Sequence, residues 1–291
     1  MFRAKDLVKL GRQLIQGYKK SCDSLCSPWS VPLCSKVNLF SSDNGLKVEE
    51  AKRLNWQGRV DLAAAFRGLE SMNFHEGICN HLSLVVPASN GDGKVMLMIP
   101  YGYHWREAKP DLLVGVNSKG EVVEGQEEVE ASAWTIHLGI HKARPDALCV
   151  FHLHSPYATA LGILKDLPFD MYHQTSCYFY NDFAYDQDYS GLSLDTDEGE
   201  RIAKHIGNKR VLFMCNHGVV VVGKTVAETF NDTYYIERAC MHQALAMSTG
   251  RELQRLPEHV IKHTKDQYDL ERLYYSKSFF ESFKRILDRK E

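Results

Sequence analysis

The sequence predicts an α/β domain with a largely antiparallel sheet covered by helices. Three observations carry this. Short apolar runs flank turn signals at Asn90-Gly91-Asp92-Gly93, Ser118-Lys119-Gly120 and Asn216-His217-Gly218. Those runs are interleaved with stretches of helical periodicity, several of which open on capping residues. No internal repeat is evident, which sets solenoid and propeller architectures aside.

The elements follow in chain order. Val48–Met72 has the periodicity of a long helix, with Val60, Ala64 and Leu69 among its apolar positions. Asn73–Cys79 breaks it. His81–Val86 and Val95–Ile99 read as strands of a hairpin, and Leu112–Asn117 and Glu121–Val123 as a second pair. Glu130–Ala143 is a helix and Ala147–Leu153 a strand. Ser155-Pro156 opens a helix to about Leu164, with serine suited to the N-cap and proline to the first turn. Asp195–Ile206 is a helix with Asp195 and Glu198 at capping-box spacing. Val211–Cys215 and Val219–Val222 are strands, and Thr225 with Glu228 opens a helix to about Met247. Three regions result: a basic extension and linker over 1–47, a folded domain over 48–250, and a polar, peripheral tail over 251–291 with a weak helical pattern around Tyr268–Leu287.

Composition narrows the function classes. The chain has 291 residues, 44% hydrophobic and 25% charged, with a formal charge of −2. That balance argues against a general nucleic-acid binder, which shows a basic surplus. Apolar runs such as Val95–Ile99, Val211–Cys215 and Val219–Val222 fall far short of the roughly 20 residues that span a bilayer. The eight cysteines are scattered, several inside apolar runs, and Cys22 and Cys26 have no second pair at zinc-ribbon spacing. These features predict an intracellular, reduced protein. The first twenty residues are basic and amphipathic, as in a mitochondrial presequence or a solvated helix. The compartment expected is therefore the cytoplasm, or the mitochondrion if that segment is a presequence.

The sharpest local feature is Phe151-His152-Leu153-His154-Ser155-Pro156. Residues i and i+2 of a strand share a face, so the roots of His152 and His154 project together roughly 6–7 Å apart. They sit where an apolar strand leaves the core and a helix begins, a favoured place for ligand sites. A hairpin turn accounts for Asn216 and Gly218, which tolerate positive φ, but not for His217. A third imidazole there would complete a three-histidine site with an open position, which suits catalytic zinc, against the plainer reading of hydrogen-bonded histidines at a strand end.

The chain resembles the class II aldolase/adducin family from about Gln57 to Gly250. The stretches that carry the resemblance are Arg59–Ala65, Gly77–Ser83, Ile99–Gly102, Arg144–Ala147, His152–Pro156 and Asn216–Gly218, in that order. The resemblance implies a three-layer α/β/α domain around a mainly antiparallel sheet, often tetrameric. It implies a small carbonyl substrate and chemistry like that of sugar-phosphate aldolases, a ribulose-phosphate epimerase or a methylthioribulose-phosphate dehydratase. Its non-enzymatic branch, the adducin heads, implies actin filaments as partners instead. By resemblance, His152, His154 and His217 are zinc ligands, and zinc polarises the substrate carbonyl and stabilises an enediolate. Asn80, Gly102 and Ser132 match positions that hold substrate phosphate, although a turn, a loop glycine and a first-turn serine explain them more simply.

Two positions depart from the family pattern. Ala133 stands where the aldolases carry their glutamate base, just before Trp134, and alanine cannot carry a proton. Val85 stands where they often carry an arginine. Glu130, a turn before Ala133, is the candidate replacement base or fourth ligand, against the plainer role of a helix-start acid. His137 and His141 share a helix face and read as core or surface histidines. Tyr178-Phe179-Tyr180, Phe183 and Tyr185 read as packing or as an oligomer interface, and Asp182, Asp186 and Asp188 as a solvated loop. Two functions therefore compete: a zinc-dependent lyase or isomerase on a hydroxy-carbonyl compound, and an adducin-like scaffold.

Overall fold

A computed structural model describes residues 46–166, 168–189, 191 and 196–289, with residues 131, 132, 196 and 197 described by their backbone alone. Residues 1–45 of the expected extension, including the segment read as a presequence or solvated helix and Cys22, Cys26 and Cys34, lie outside the described residues, as does Asp195. Helix α1 spans Val48–Ser71, followed by β1 (His81–Pro87) and β2 (Lys94–Met98). Then come β3 (Val114–Val116), β4 (Val122–Glu124), α2 (Ala131–Ala143), β5 (Cys149–Leu153), α3 (Pro156–Gly162) and α4 (Gln174–Cys177). The chain closes with β6 (Phe183–Asp186), α5 (Thr196–Ile206), β7 (Val211–Met214), β8 (Gly218–Gly223), α6 (Val226–Met247) and α7 (Glu258–Leu287).

The eight strands form one sheet in the order β4-β3-β2-β1-β5-β8-β7-β6. Every pairing is antiparallel except β6 with β7. Period-two alternation makes both faces apolar in the central strands. One face sends Leu82, Leu84, Phe151, Phe213 and Val221 into a cluster with Phe66 of α1, Phe230 of α6 and Phe280 of α7. The opposite face sends Val150, Leu212 and Val220 against Ile136 and Ile140 of α2 and Ile202 and Ile206 of α5. The result is the layered α/β/α arrangement that the resemblance implies. Helices α2 and α5 meet at Gly139 and Gly199, where a Cβ on Gly139 would fall 2.4 Å from the Gly199 carbonyl carbon.

Several expectations are corrected. Ser155 occupies the N-cap of α3 but does not cap it. Its hydroxyl donates to Glu237 (2.8 Å), whose carboxylate accepts the amides of Tyr157 and Ala158, both at 2.8 Å. Glu237 thus does the capping from a distant helix. Of the three acids expected in a solvated loop, Asp188 is exposed as expected, but Asp182 and Asp186 are not. Asp186 ends β6, is buried, and pairs with Arg201 at 2.5 Å, while Asp182 pairs with Arg210. The C-terminal segment is helical but not peripheral. Ile261, Ser276 and Phe280 of α7 are buried. Arg272 of α7 reaches Asp232 at 2.7 Å, where Arg210 (2.8 Å) and the Tyr178 hydroxyl (2.7 Å) also converge. Asp232 is fully buried, yet the two guanidiniums hold its carboxyl below the usual carboxylate range against the penalty of burial.

Candidate metal centre

The register of the sheet builds the site. His81 of β1 lies opposite His152 of β5, and Leu153 lies opposite Val219 of β8. His154 follows two residues after His152, so both rings leave the same side of the strand. The turn between β7 and β8 carries Asn216 at φ 60°, which directs His217 back toward β5. Gly218 leaves the room this needs: a Cβ there would meet the Leu153 carbonyl oxygen at 2.5 Å and the His154 ring at 2.6 Å.

The three imidazoles converge. Ring centroids are 5.1 Å apart for His152 and His154, 4.7 Å for His152 and His217, and 5.0 Å for His154 and His217. One nitrogen from each lies within 4.8 Å of the others. Nδ1 of His152, Nε2 of His154 and Nδ1 of His217 are buried and have no hydrogen-bond partner. Burial lowers the His152 pKa well below its ordinary value, with His81 and His217 adding to the shift. Burial lowers that of His217 to about 4, with His154 adding and Asp186 opposing. A buried ring nitrogen without a partner can offer its lone pair to a cation when the ring's proton is on the other nitrogen. The donor set fits a divalent zinc-type ion.

A carboxylate backs the cluster. Nδ1 of His154 is hydrogen-bonded to Glu76, which leaves Nε2 as the nitrogen facing the centre. A carboxylate behind a ligating imidazole fixes its tautomer and raises its basicity. Asn80 ties this pair together: its Oδ1 accepts the amides of Glu76 (2.7 Å) and His154 (3.2 Å). Nδ2 of Asn80 is buried and unpartnered, a donor left for a ligand. The carbonyl oxygen of Asn80 accepts the Trp105 indole N–H at 3.2 Å.

The remaining expected site residues are placed less directly. Gly102 has φ 86° in the loop after β2, with open space around an added Cβ. Ser132 lies in the first turn of α2. Glu130 is the N-cap of that helix, and its carboxylate accepts the Ala133 amide at 2.7 Å. Ala133 is buried with Val85, Met96 and Met98. Two further groups bring possible ligand atoms together, Glu70–His75–His104 and Asp186–Asp188–His205. In both, an acid is already engaged, Glu70 by Arg106 (2.5 Å) and Asp186 by Arg201 (2.5 Å). Glu76 and His81 are the site residues that sequence reasoning missed. His81 does pair with His152, but only strand register reveals it.

Comparisons with known proteins agree with this architecture. The Class II Aldolase and Adducin N-terminal domain family matches residues 60–244, and the chain belongs to that family. It is 37% identical over 209 residues to a "Putative aldolase class 2 protein" of Caulobacter vibrioides, covering 71% of this chain and 77% of that one. It is 29% identical over 227 residues to mouse alpha-adducin, covering 76% of this chain but 29% of the relative. An aldolase II superfamily protein from Pseudomonas syringae superposes with a TM-score of 0.72 at 28% identity, covering 80% of this chain and 94% of that one.

Proposed function

We propose that the chain is a zinc-dependent lyase or isomerase acting on a hydroxy-carbonyl compound of the sugar or sugar-phosphate kind. The observation that carries this is the convergence of three imidazoles, each with one nitrogen within 4.8 Å of the others and each with a buried nitrogen that has no partner, one ring being backed by Glu76. His152, His154 and His217 would hold the ion. When bound, it supplies a Lewis acid for a substrate carbonyl. Glu76 keeps Nε2 of His154 turned inward. Nδ2 of Asn80 donates to a substrate oxygen, and the Gly102 loop and Ser132 receive a phosphate or an equivalent polar end. Glu130 holds the start of α2 and is assigned no proton in this scheme; unchanged turnover in Glu130→Ala supports that assignment. The protein works as a homo-oligomer, a tetramer by family likeness, inside the cell. Among the described residues no helix is long and apolar enough to cross a membrane.

Zinc content of the purified protein and of His154→Ala, measured beside an aldol-cleavage and dehydration screen, tests the scheme. About one zinc per chain, lost in the variant together with turnover, supports it. A metal-free wild type rejects it.

A second reading is favoured by one observation: the family's base position is Ala133, packed among apolar side chains. An adducin-like scaffold would need no base. Co-sedimentation with actin filaments, undiminished in His154→Ala, would favour that reading.

A further inference from the structure

Behind the metal centre, between β1, β5 and α2, four polar side chains form one buried chain. Nδ1 of His81 lies 2.7 Å from Nε2 of His137. Nδ1 of His137 contacts the Ser83 hydroxyl, which lies 2.8 Å from Nε2 of His141. Nδ1 of His141 lies 2.7 Å from the Ala147 carbonyl oxygen. His137, Ser83 and His141 are fully buried and His81 nearly so.

The hydrogens of this chain have one consistent placement. A carbonyl oxygen only accepts, so His141 must carry its proton on Nδ1. A neutral His141 then offers a lone pair at Nε2, and Ser83 must donate to it. The Ser83 hydroxyl has one hydrogen, so it accepts from His137, whose proton is on Nδ1. Nε2 of His137 is therefore an acceptor, and His81 donates to it from Nδ1. The nitrogen of His81 left over, Nε2, is a lone pair. The His81 ring lies 4.9 Å from that of His152, centroid to centroid.

We propose that the His81–His137–Ser83–His141 chain, anchored on the Ala147 carbonyl, locks His81 in the Nδ1–H tautomer and presents its Nε2 at the metal centre as an acceptor for a ligand hydroxyl. His137, Ser83 and His141 are thus positioning residues that act through His81, and His81 selects ligands that carry a donor beside the atom that meets the metal. The ligand half of this rests on the metal reading above. The tautomer half does not.

The sequence of the chain suits this task. All three imidazoles adopt the less common tautomer of free histidine, and each is held there by a neighbour rather than by solvent. A buried polar chain whose internal donors and acceptors are matched at every link is rigid. Nothing in packing alone requires Nδ1–H at all three positions.

Imidazole 15N correlation spectra of the full-length, metal-free protein test the lock directly. The expected result is Nδ1–H at His81, His137 and His141, with slow exchange. In Ser83→Ala, His141 stays Nδ1–H while His81 and His137 lose a single tautomer; Ser83→Thr restores the pattern. An Nε2–H tautomer at any of the three in the wild type overturns the proposal, whether or not the variants fold. The all-Nδ1 pattern in a protein that takes up no zinc supports the lock and counts only against the metal reading. For the zinc-loaded protein, glycolate and acetate are the probes. Their affinity ratio is expected to fall about tenfold in Ser83→Ala and to return in Ser83→Thr. A ratio unchanged in Ser83→Ala overturns the acceptor role.

Discussion

Ala133 and Val85 lie in one apolar cluster, with Met96 and Met98 between sheet and helix. These are the two positions where family likeness leads one to expect a glutamate and an arginine. The two departures are therefore one structural change: a wall that would carry opposite charges is apolar on both sides. Ala133→Glu alone buries an unpaired carboxylate there and is expected to lower stability by about 2–4 kcal/mol. Val85→Arg added to it should recover part of that loss. Urea unfolding of the single and double variants measures both, and strict additivity would separate the two sites.

Glu76 is exposed on one side and bonded to His154 on the other. Glu76→Gln is expected to weaken zinc affinity about 10–100-fold while leaving the melting temperature of the metal-free protein nearly unchanged. A competition titration with a chromophoric chelator reads the first quantity and a thermal melt the second.

Asp232 joins three segments of the fold by accepting from Arg210, Arg272 and Tyr178. Asp232→Ala leaves two guanidiniums facing a hole and is expected to cost about 3–5 kcal/mol. Because Arg272 is on α7, hydrogen exchange should quicken along Glu258–Leu287 more than in the central strands.

Buried histidines make the metal-free fold acid-sensitive. Burial lowers the His141 pKa to about 4, partly opposed by its bond to Ala147, and lowers that of His81 to about 3. In the unfolded chain each titrates near 6.5. Between the folded and unfolded values the unfolded chain holds the extra proton, so stability falls as pH drops from about 6.5 toward 4. The His141 share is on the order of 3 kcal/mol. Denaturant midpoints measured from pH 8 to 4 should be flat at the top and fall below about 6.5, and His141→Gln should flatten the slope.

How much of this was legible in the sequence depends on which contacts fix each part. Strands β1, β2, β5, β7 and β8 announce themselves through apolar runs and turn residues. Strand β6 does not, since Phe183–Asp186 is held by parallel pairing with β7, which leaves no local trace. Helix α7 looked peripheral because Leu270, Leu273 and Tyr274 are exposed on it while Ile261 and Phe280 are buried. The apolar residues on both faces blur its periodicity. His152 and His154 are readable from strand period, and His217 from its misfit in a turn. Glu76, His81 and the Ser83 link come from antiparallel register and from the packing of α2, neither of which spacing along the chain encodes.

X-ray absorption at the zinc edge of the zinc-loaded protein tests the central claim most directly. The expected spectrum has three imidazole nitrogens at about 2.0–2.1 Å with one further oxygen or nitrogen neighbour, and His217→Ala reduces the imidazole count by one. Sulfur scattering, or an imidazole count that the His217 variant leaves unchanged, would contradict it.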